Sequence, residues 1–429
     1  MTDRRFLGSY VTRVVDRELD ELLPQLAAIV LDGPKGVGKT ATAEQRCASS
    51  WRLDDPGQRE TLHADLTLAA RGASPVLIDE WQRLPETWDA VRRAVDADPS
   101  GGRFLLTGSA PVPATHSGAG RITTMRMRPL TLYERGVGSA EISFRDLLDG
   151  KAGARLQGGP SSMALEGYVD EIVRGGWPAM RHLDGAALER QLDGYLELIV
   201  QRDVEETGHA VRRPAALRNW LRACAAATAT SASWEQIRDA ASAGRTEPPA
   251  RSTVLQYTDA LTLLRILDPV EAWSPSNNMF ARVAARPKHH LADPALAARL
   301  LGQTRGNLLA GGTGPISMPR PGSLLGSFFE SLVMLCVRTY AQAAGARVYH
   351  LRANDGRQEV DIIVERDNSV LAIEVKLGAS IDDHDVRHLM WLRDKLGTDL
   401  VDAAVITTGT HAYRRRDGIA VVPLAHLGP

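Results

Sequence analysis

Short apolar runs alternate with amphipathic segments in the first 140 residues of the chain. Three runs are candidates for buried strands: AAIVLDG at 27–33, PVLIDE at 75–80 and RFLLTGSA at 103–110. Apolar residues at helical spacing predict helices over 10–23 and 86–97. Continuous apolar runs that alternate with helices are typical of parallel strands covered on both faces. The pattern therefore predicts an α/β unit with a doubly wound parallel sheet and helices on both faces.

From residue 163 to residue 300 the pattern becomes mainly helical. Segment 188–206 has the apolar spacing of one long amphipathic helix. Two further helical segments, 233–241 and 251–267, are separated by a loop with two prolines. The stretch 268–293 follows them as a wing and a return strand would. This order predicts a helical middle region with a winged-helix-like part.

The last part of the chain begins with a strongly apolar helix, SLLGSFFESLVMLCVRTYAQAAG. Four strand-like runs follow, RVYHLRA, QEVDIIVER, VLAIEVKL and AAVITTG, with a helix between the last two. Acidic residues interrupt two of these runs, and a buried carboxylate is costly unless it is compensated. Because 429 residues exceed one ordinary core, we expect three domains, at 1–140, 141–300 and 301–429, of which the last is again α/β.

Composition and charge narrow the class of protein. The chain is 44% hydrophobic and 24% charged with a formal net charge of −1. This balance argues against a uniformly basic nucleic-acid coat but leaves room for a local basic patch. Neither an 18-residue apolar run nor a signal peptide is found, so no membrane partner is expected. Three widely spaced cysteines, Cys47, Cys224 and Cys336, fit a reducing, cytoplasmic location without disulfides.

Residues 33–40, GPKGVGKT, match the phosphate-binding pattern GxxxxGK[ST], the P-loop. The motif follows an apolar strand and precedes a helix, which is the context that it requires. Its glycines let backbone N–H groups surround phosphates, Lys39 would reach the β- and γ-phosphates, and Thr40 would hold Mg²⁺. The predicted ATP-binding residues are Gly33, Pro34, Lys35, Gly36, Val37, Gly38, Lys39 and Thr40.

Acidic residues at the end of the second apolar run complete the predicted hydrolytic site. Asp79 would bind Mg²⁺ together with Thr40, because a buried carboxylate needs compensation. Glu80 would orient or deprotonate the attacking water. The alternative is an acidic pair that caps a helix.

Four further residues are weaker candidates for catalysis. Thr107 or Ser109, at the end of the third run, could direct a hydroxyl at the γ-phosphate or the water, although a simple turn explains them equally well. Arg121 and, similarly, Arg13 are candidates for an arginine finger or a sensor, within the chain or on a neighbour. The alternative is a solvent-exposed arginine.

A second cluster of charged residues lies in the C-terminal runs. Alternate residues of a strand share a face, so Glu374 and Lys376 of AIEVK point the same way. Asp361 of EVDIIV has the same alternation, and Glu330 lies on the apolar helix. These three carboxylates could bind a divalent metal, Mg²⁺ or Mn²⁺, while Lys376 orients a water or stabilises charge on a phosphate.

This helix-Glu, strand-Asp and ExK arrangement over 324–410 resembles the PD-(D/E)XK nuclease superfamily, although no proline precedes Asp361. The resemblance implies a restriction-endonuclease-like domain and a later basic or amide residue, for which His384 and His388 are candidates. Two structural alternatives remain open. Glu374 and Lys376 could form an ion pair on an exposed edge strand, and Glu330 could be a helix-start carboxylate.

The whole chain resembles prokaryotic AAA-type ATPases that carry a C-terminal domain of unknown function. The resemblance rests on motifs in family order. These are GPKGVGKT, LIDEWQRLP, RFLLTGSA, GRI with RPLTLYE, RGGWP, YLELIVQRDVEE, the winged-helix-like stretch, RQEVDIIVE and AIEVK. It implies an ATPase core, a winged-helix-like middle and a nuclease-like end, but no substrate.

Three functions are compatible with these features. The first is a Mg²⁺-dependent ATPase coupled to DNA or RNA processing, in which arginines around the winged-helix-like part contact phosphates. Those arginines are Arg212, Arg213, Arg218, Arg245 and Arg251. The second is an ATP-dependent regulatory switch with an inactive C-terminal scaffold, and the third is a protein-remodelling ATPase. An arginine finger acting on a neighbour would require oligomerisation, which the sequence does not show.

Overall fold

The computed structural model describes most of the chain. The described residues are 9–108, 118–153, 156, 158–209, 211–242, 250–274, 285–310, 321–353 and 356–429. Ser109 and Arg245, two of the predicted residues, lie outside them. The three cysteines are free.

The N-terminal region is built on a five-stranded parallel sheet. Its strands are β1 (Ala28–Asp32), β2 (Ser49–Arg52), β3 (Val76–Asp79), β4 (Phe104–Thr107) and β5 (Ile122–Arg126). Their order is β2-β3-β4-β1-β5. The helices are α1 (Val14–Leu22), α2 (Lys39–Glu44), α3 (Pro56–Ala64) and α4 (Glu86–Ala97). Since β4 lies between β1 and β3, the carboxyl ends of these three strands meet at one edge.

Apolar side chains cover both faces of this sheet, as the continuous runs predicted. Ile29 and Leu77 pack into one hydrophobic cluster, whereas Ile78 and Leu106 pack into another on the opposite face. Each of these four side chains is fully buried. A parallel sheet with such a core is confirmed for the N-terminal region.

The middle region is helical. It begins with the short strand β6 (Ile142–Ser143), and its helices are α5 (Phe144–Leu148), α6 (Leu165–Arg174), α7 (Gly185–Leu198), α8 (Val204–Glu206), α9 (Pro214–Ala226), α10 (Trp234–Ala241), α11 (Arg251–Leu263), α12 (Pro294–Leu300) and α13 (Arg305–Leu309). A π-helical turn, Ile199–Asp203, joins α7 to α8.

Two antiparallel bridges, Leu267 with Leu291 and Val270 with Lys288, follow the helices α9, α10 and α11. Three helices and a returning chain are the order expected for a winged helix, but the likeness itself stays a prediction.

The C-terminal region is a seven-stranded mixed sheet. Its strands are β7 (Ala272–Trp273), β8 (Arg347–Ala353), β9 (Gln358–Arg366), β10 (Ser369–Lys376), β11 (Leu400–Thr407), β12 (Tyr413–Arg414) and β13 (Ala420–Pro423), in the order β12-β13-β11-β10-β9-β8-β7. Helix α14 (Pro321–Ala343) packs on one face and α15 (Arg387–Leu396) on the other.

Strands from earlier in the chain join the C-terminal region. β7 pairs in parallel with β8, and β6 pairs in parallel with β14 (Leu427–Gly428). Both pairs join the predicted domain 141–300 to the predicted domain 301–429. The boundaries at 140 and 300 stay predictions.

Helix α14 is the one described helix that is long and apolar enough to cross a membrane by length and composition alone. Its stretch Leu324–Ala343 has a mean hydropathy of 1.3, and 67% of it is buried inside the protein. Phe328, Phe329 and Leu332 are fully buried in the core. The absence of a membrane partner stays a prediction.

Candidate functional site

The P-loop connects the end of β1 to the start of α2. Gly38 precedes the helix with a φ of 98°, in the left-handed region that favours glycine. Gly33 lies against the end of β5, where a β-carbon would come within 2.1 Å of the Met127 carbonyl oxygen. The motif therefore has glycine at positions where the fold demands it.

Lys39 is the buried cation of this loop. Its Nζ donates to the carbonyl oxygens of Gly33 and Pro34 at 2.7 and 2.8 Å, and the residue is only 6% exposed. Burial lowers the pKa of Lys39 to about 8, although the charge of Glu80 opposes the shift. A phosphate would stabilise the charged form of this ammonium by supplying the counter-charge that the loop carbonyls lack.

Asp79 lies at the centre of a cluster of oxygen atoms beside the loop. Its Oδ1 accepts hydrogen bonds from the Thr40 hydroxyl at 2.8 Å and from the Thr107 hydroxyl. The register of β3 against β4, which pairs Asp79 with Thr107, produces this arrangement. A hydroxyl next to a buried carboxylate is a hard oxygen donor set of the kind that Mg²⁺ prefers. Thr40 and Asp79 therefore fit the metal that a P-loop ATPase uses.

Glu80 follows Asp79 with an unusual backbone conformation. Its φ of 54° lies in the left-handed region, which a non-glycine residue adopts at a cost. Its carboxylate accepts a hydrogen bond from the side-chain amide of Gln82. Strained residues of this kind concentrate at functional sites, and this one aims a carboxylate beside the Asp79 cluster.

The middle region contacts the P-loop at Lys35 through hydrogen bonds and ion pairs. Trp177 Nε1 and the Tyr195 hydroxyl donate to the Lys35 carbonyl oxygen at 3.0 and 3.1 Å. The Lys35 ammonium pairs with Asp203 at 2.7 Å and with Glu206 at 2.8 Å. Burial alone would lower the pKa of Lys35, but these two carboxylates outweigh it and raise the pKa. Lys35 therefore points away from Lys39 and toward the middle region.

The helical segment that makes three of these contacts contains the π-helical turn. Tyr195 lies on α7, whereas Asp203 closes the turn and Glu206 ends α8. Such a turn inserts a residue into the helical repeat and is frequent at functional sites. The sequence suggested no role for the motifs RGGWP and YLELIVQRDVEE. In the structure, both contact the P-loop at Lys35.

Buried ion pairs hold the middle region in this position. Arg135 is fully buried and pairs with Glu171 at 3.1 Å and with Asp293 at 3.0 Å. Asp293 also accepts from the backbone N–H of Gly176, next to Trp177. Removing one partner of such a network is strongly destabilising, because a buried charge is left unpaired.

Arg13 is a buried arginine that connects three parts of the N-terminal region. Its guanidinium donates to the carbonyl oxygens of Val37 and Arg128, each at 2.7 Å, and pairs with Glu134 at 2.9 Å. All of these contacts tie α1 to the P-loop and to the chain after β5. These contacts indicate a structural role for Arg13, and its role as a finger or a sensor stays a prediction.

Arg121 lies at the wrong edge of the sheet for a finger within the chain. It precedes Ile122, which aligns with Ala28 at the start of β1, whereas the P-loop follows Asp32. Six residue steps along the strands separate its backbone from Gly33, which is roughly 20 Å. Its exposed guanidinium pairs with Asp96 at 2.8 Å. This position gives no support to a finger within the chain, and the role of Arg121 in cis or toward a neighbouring subunit stays a prediction.

Arg126, at the other end of β5, is an arginine that the sequence did not single out. It aligns with Asp32, and its Nη1 lies 3.5 Å from an Asp32 carboxylate oxygen. Burial lowers the pKa of Arg126 to about 10, and its charge contributes to the lowered pKa of Lys39. The only sequence signal was its position at the end of the fifth strand, which the sequence analysis did not recognise.

The C-terminal carboxylates do converge. Glu330, Asp361, Glu374 and Lys376 line one cavity of about 400 Å³, together with His388. β10 lies between β9 and β11, so it is not an edge strand, and Glu330 lies in the middle of α14. Both structural alternatives are therefore wrong as stated, although Glu374 and Lys376 do form an ion pair of 2.8 Å. His384 lies on an exposed turn outside the cavity lining.

A lysine from the middle region also enters this cluster. Lys288 Nζ lies 2.8 Å from Glu330 Oε1 and 3.1 Å from Asp361 Oδ1. Burial would lower the pKa of Lys288, but the charges of Asp361 and Glu330 outweigh it and raise the pKa above its ordinary value. Burial, reinforced by Asp361, raises the pKa of Glu330 and of Glu374 to about 8.

The arginines around the winged-helix-like part are only partly available. Arg212 and Arg213 are exposed. Arg251 pairs with Glu235 at 3.0 Å, and Arg218 pairs with Glu197. A nucleic-acid-binding surface in this region stays a prediction.

Three protein families match consecutive parts of the chain. An AAA domain matches residues 25–135, a domain of unknown function (DUF8612) matches 165–306, and a second domain of unknown function (DUF4143) matches 325–427. The chain therefore combines an AAA domain of the ATPase class with a C-terminal DUF4143 domain, and ATP binding is the activity that this class implies.

Two uncharacterized proteins, from Mycobacterium bovis and Mycobacterium tuberculosis, are similar to the chain over its length. Each is 27% identical over 421 residues, which is 94% of this chain and 82% of the relative.

Proposed function

We propose that the chain is a Mg²⁺-dependent ATPase that works as a switch, in which the nucleotide state of the P-loop is transmitted to the helical middle region. The observation that carries this proposal is the set of contacts between Lys35 and the middle region. Both its carbonyl oxygen and its ammonium are bound by the middle region, by Trp177, Tyr195, Asp203 and Glu206.

The residues around the loop support hydrolysis. Lys39 provides a buried ammonium for the phosphates, and Glu80 would orient a water or accept its proton. Thr40 and Asp79 would hold Mg²⁺, which, when bound, neutralises charge on the β- and γ-phosphate oxygens. Preorganised charges of this kind act strongly because the site is largely closed to water.

The nucleotide state would reach the middle region through the backbone of the P-loop, which carries both Lys39 and Lys35. The backbone of Lys35 lies between Gly33, whose carbonyl oxygen now accepts from Lys39, and Gly38. When Lys39 turns from the loop carbonyls to a phosphate, the loop that carries Lys35 has to adjust. Since four groups of the middle region bind Lys35, that adjustment changes contacts of α7 and α8. A ligand can bias such an element only through different contacts in its two states.

Hydrogen exchange of the segment 195–209 tests the switch. We expect ATP with Mg²⁺ to change its exchange in the wild type and in Glu80→Gln, which should bind but not hydrolyse. Lys39→Ala is the matched control and should show no change. Equal exchange with and without nucleotide in the wild type, under conditions where ATP binding is measured directly, would contradict the proposal.

Nucleic-acid processing is a second candidate, favoured by the convergence of Glu330, Asp361, Glu374 and Lys376 in one cavity. It requires cleavage of DNA or RNA in Mg²⁺ or Mn²⁺ that is lost in Asp361→Ala and Lys376→Ala. It also requires an affinity for nucleic acid that falls with salt. The buried position of Lys288 beside two of these carboxylates supports the switch over this candidate.

A further inference from the structure

Lys288 lies where the acidic residues of the C-terminal cavity meet. Its ammonium contacts Glu330 and Asp361 directly, and Glu359 at 3.5 Å. Lys288 is only 1% exposed, so these carboxylates are its environment. A buried lysine with three acidic neighbours acts as their counter-ion.

The backbone holds Lys288 in this position. Its N–H and carbonyl pair with those of Val270, both at 2.8 Å, in one of the two bridges that follow α11. The lysine thus belongs to the middle region, 42 residues before Glu330 and 73 before Asp361. The cation that pairs with Glu330 and Asp361 is therefore supplied by another part of the chain.

One carboxylate oxygen of the site has no partner. Glu374 is 7% exposed, and its Oε1 pairs with Lys376. Its Oε2 is buried without a hydrogen bond, and the residue lines the cavity. A buried polar atom without a partner is costly, so this oxygen marks capacity for a further cation.

The oxygen donors suit Mg²⁺ or Mn²⁺ by chemistry, but with Lys288 between two of them they do not form a compact ligand set. Among the described residues, only Asp382, His384 and Asp385 bring three ligand atoms within 4.8 Å of one another. The carboxylates of Glu330, Asp361 and Glu374 stand farther apart, and an ammonium lies between two of them. A metal held by Glu330 and Asp361 would have to coexist with that ammonium at short range, which repulsion disfavours.

We propose that Lys288 is the resident cation of the C-terminal carboxylate site, and that its ammonium excludes a divalent metal from the place between Glu330 and Asp361. The site is therefore metal-free in the native protein, although its carboxylates retain the ability to bind a metal. Removal of the lysine charge should convert it into a divalent cation site with Glu374 as a third ligand. This inference is independent of ATP hydrolysis.

Mn²⁺ binding to the full-length chain without nucleotide tests the proposal, with free Mn²⁺ measured by electron paramagnetic resonance. Lys288→Met should bind one additional Mn²⁺ per chain, at least about tenfold more tightly than the wild type, because a divalent ion then has no competing charge. Lys288→Arg keeps a cation and should not gain the site. Lys288→Met/Asp361→Asn should lose it, which separates it from binding at Asp382, His384 and Asp385.

Two results would overturn the proposal. One is a Lys288→Met variant that binds no more Mn²⁺ than the wild type. The other is a wild type that already binds Mn²⁺ at a site that Asp361→Asn abolishes.

Thermal stability with and without Mn²⁺ is a second measurement, which remains usable if the Lys288→Met variant folds poorly. Lys288→Met leaves buried carboxylates unpaired, so its Tm in EDTA should fall by about 5–10 °C. Mn²⁺ should restore much of that loss in the variant and leave the wild type unchanged. If the variant does not fold in EDTA, refolding with Mn²⁺ should recover the native far-ultraviolet circular dichroism spectrum. Equal yields with and without Mn²⁺ would contradict the proposal.

Discussion

The P-loop site and the C-terminal cavity are built from the same kinds of side chain and use them differently. Lys39 and Lys288 are both buried lysines near acidic residues at a sheet. Lys39 donates to loop carbonyls and leaves Asp79 to the hydroxyls of Thr40 and Thr107. Lys288 instead binds Glu330 and Asp361 directly.

The difference lies in what each lysine leaves uncompensated. At the P-loop, a buried ammonium without a carboxylate partner has its pKa lowered by burial to about 8, and it gains from an incoming phosphate. In the C-terminal cavity, the ammonium has its pKa raised by Asp361 and Glu330, against the effect of burial, and it gains nothing from a further anion. Two similar residue sets thus give one site ready for a ligand and one already neutralised.

Substitution of the central aspartate in each site should give the largest difference between the two sites. Asp79→Asn should lower Mg²⁺-dependent ATP turnover by about 100-fold or more, because it removes charge from the phosphate and metal site. Asp361→Asn should leave turnover within about twofold, since it lies in a separate cavity and acts on stability instead. Steady-state phosphate release measures both. Equal losses in the two variants would mean that the sites are not independent.

The pH dependence of ATP binding sharpens the contrast between the two lysines. Lys39 must be charged to bind phosphates, and its pKa of about 8 in the free protein means that binding takes up a proton above that pH. ATP affinity should therefore fall by about tenfold between pH 7 and pH 9. Calorimetric titration in buffers of different ionisation enthalpy would show the proton uptake. A constant affinity across this range would contradict the burial of an unpaired Lys39.

The smallest expected effect concerns Arg121. Since it lies at the amino end of β5 and pairs with Asp96 on the surface, Arg121→Ala should change turnover by less than about twofold in a monomer. Arg126→Ala, at the opposite end of the same strand, is the matched variant and should have the larger effect. A substantial loss in Arg121→Ala that depends on protein concentration would instead indicate a role toward a neighbouring subunit.

The sequence predicted those features that depend on local pattern. Continuous apolar runs gave the parallel sheet, and the P-loop spacing placed Gly33–Thr40 after β1. Strand alternation placed Glu374 and Lys376 on one face, where they form an ion pair. Each of these follows from residues close together in sequence.

Features that depend on long-range packing could not be predicted in this way. Lys288 contacts partners 42 and 73 residues away, and its own segment showed only a return strand. The residues that contact Lys35 lie 142 to 171 positions after it in the sequence. The position of Arg121 at the amino end of β5 could not be predicted either, because sequence distance from the P-loop does not tell which edge of the sheet a residue occupies.

The two lysines of the P-loop provide the most direct test of the account, because each is assigned to one task. ATP turnover in Mg²⁺ should be measured for the wild type, Lys39→Ala and Lys35→Ala in parallel. Lys39→Ala should lose at least about tenfold in turnover, since it removes the phosphate-binding charge. Lys35→Ala should stay within about fivefold, because it removes a half-buried ion pair with the middle region. Near wild-type turnover in Lys39→Ala, or an equal loss in both variants, would contradict the account.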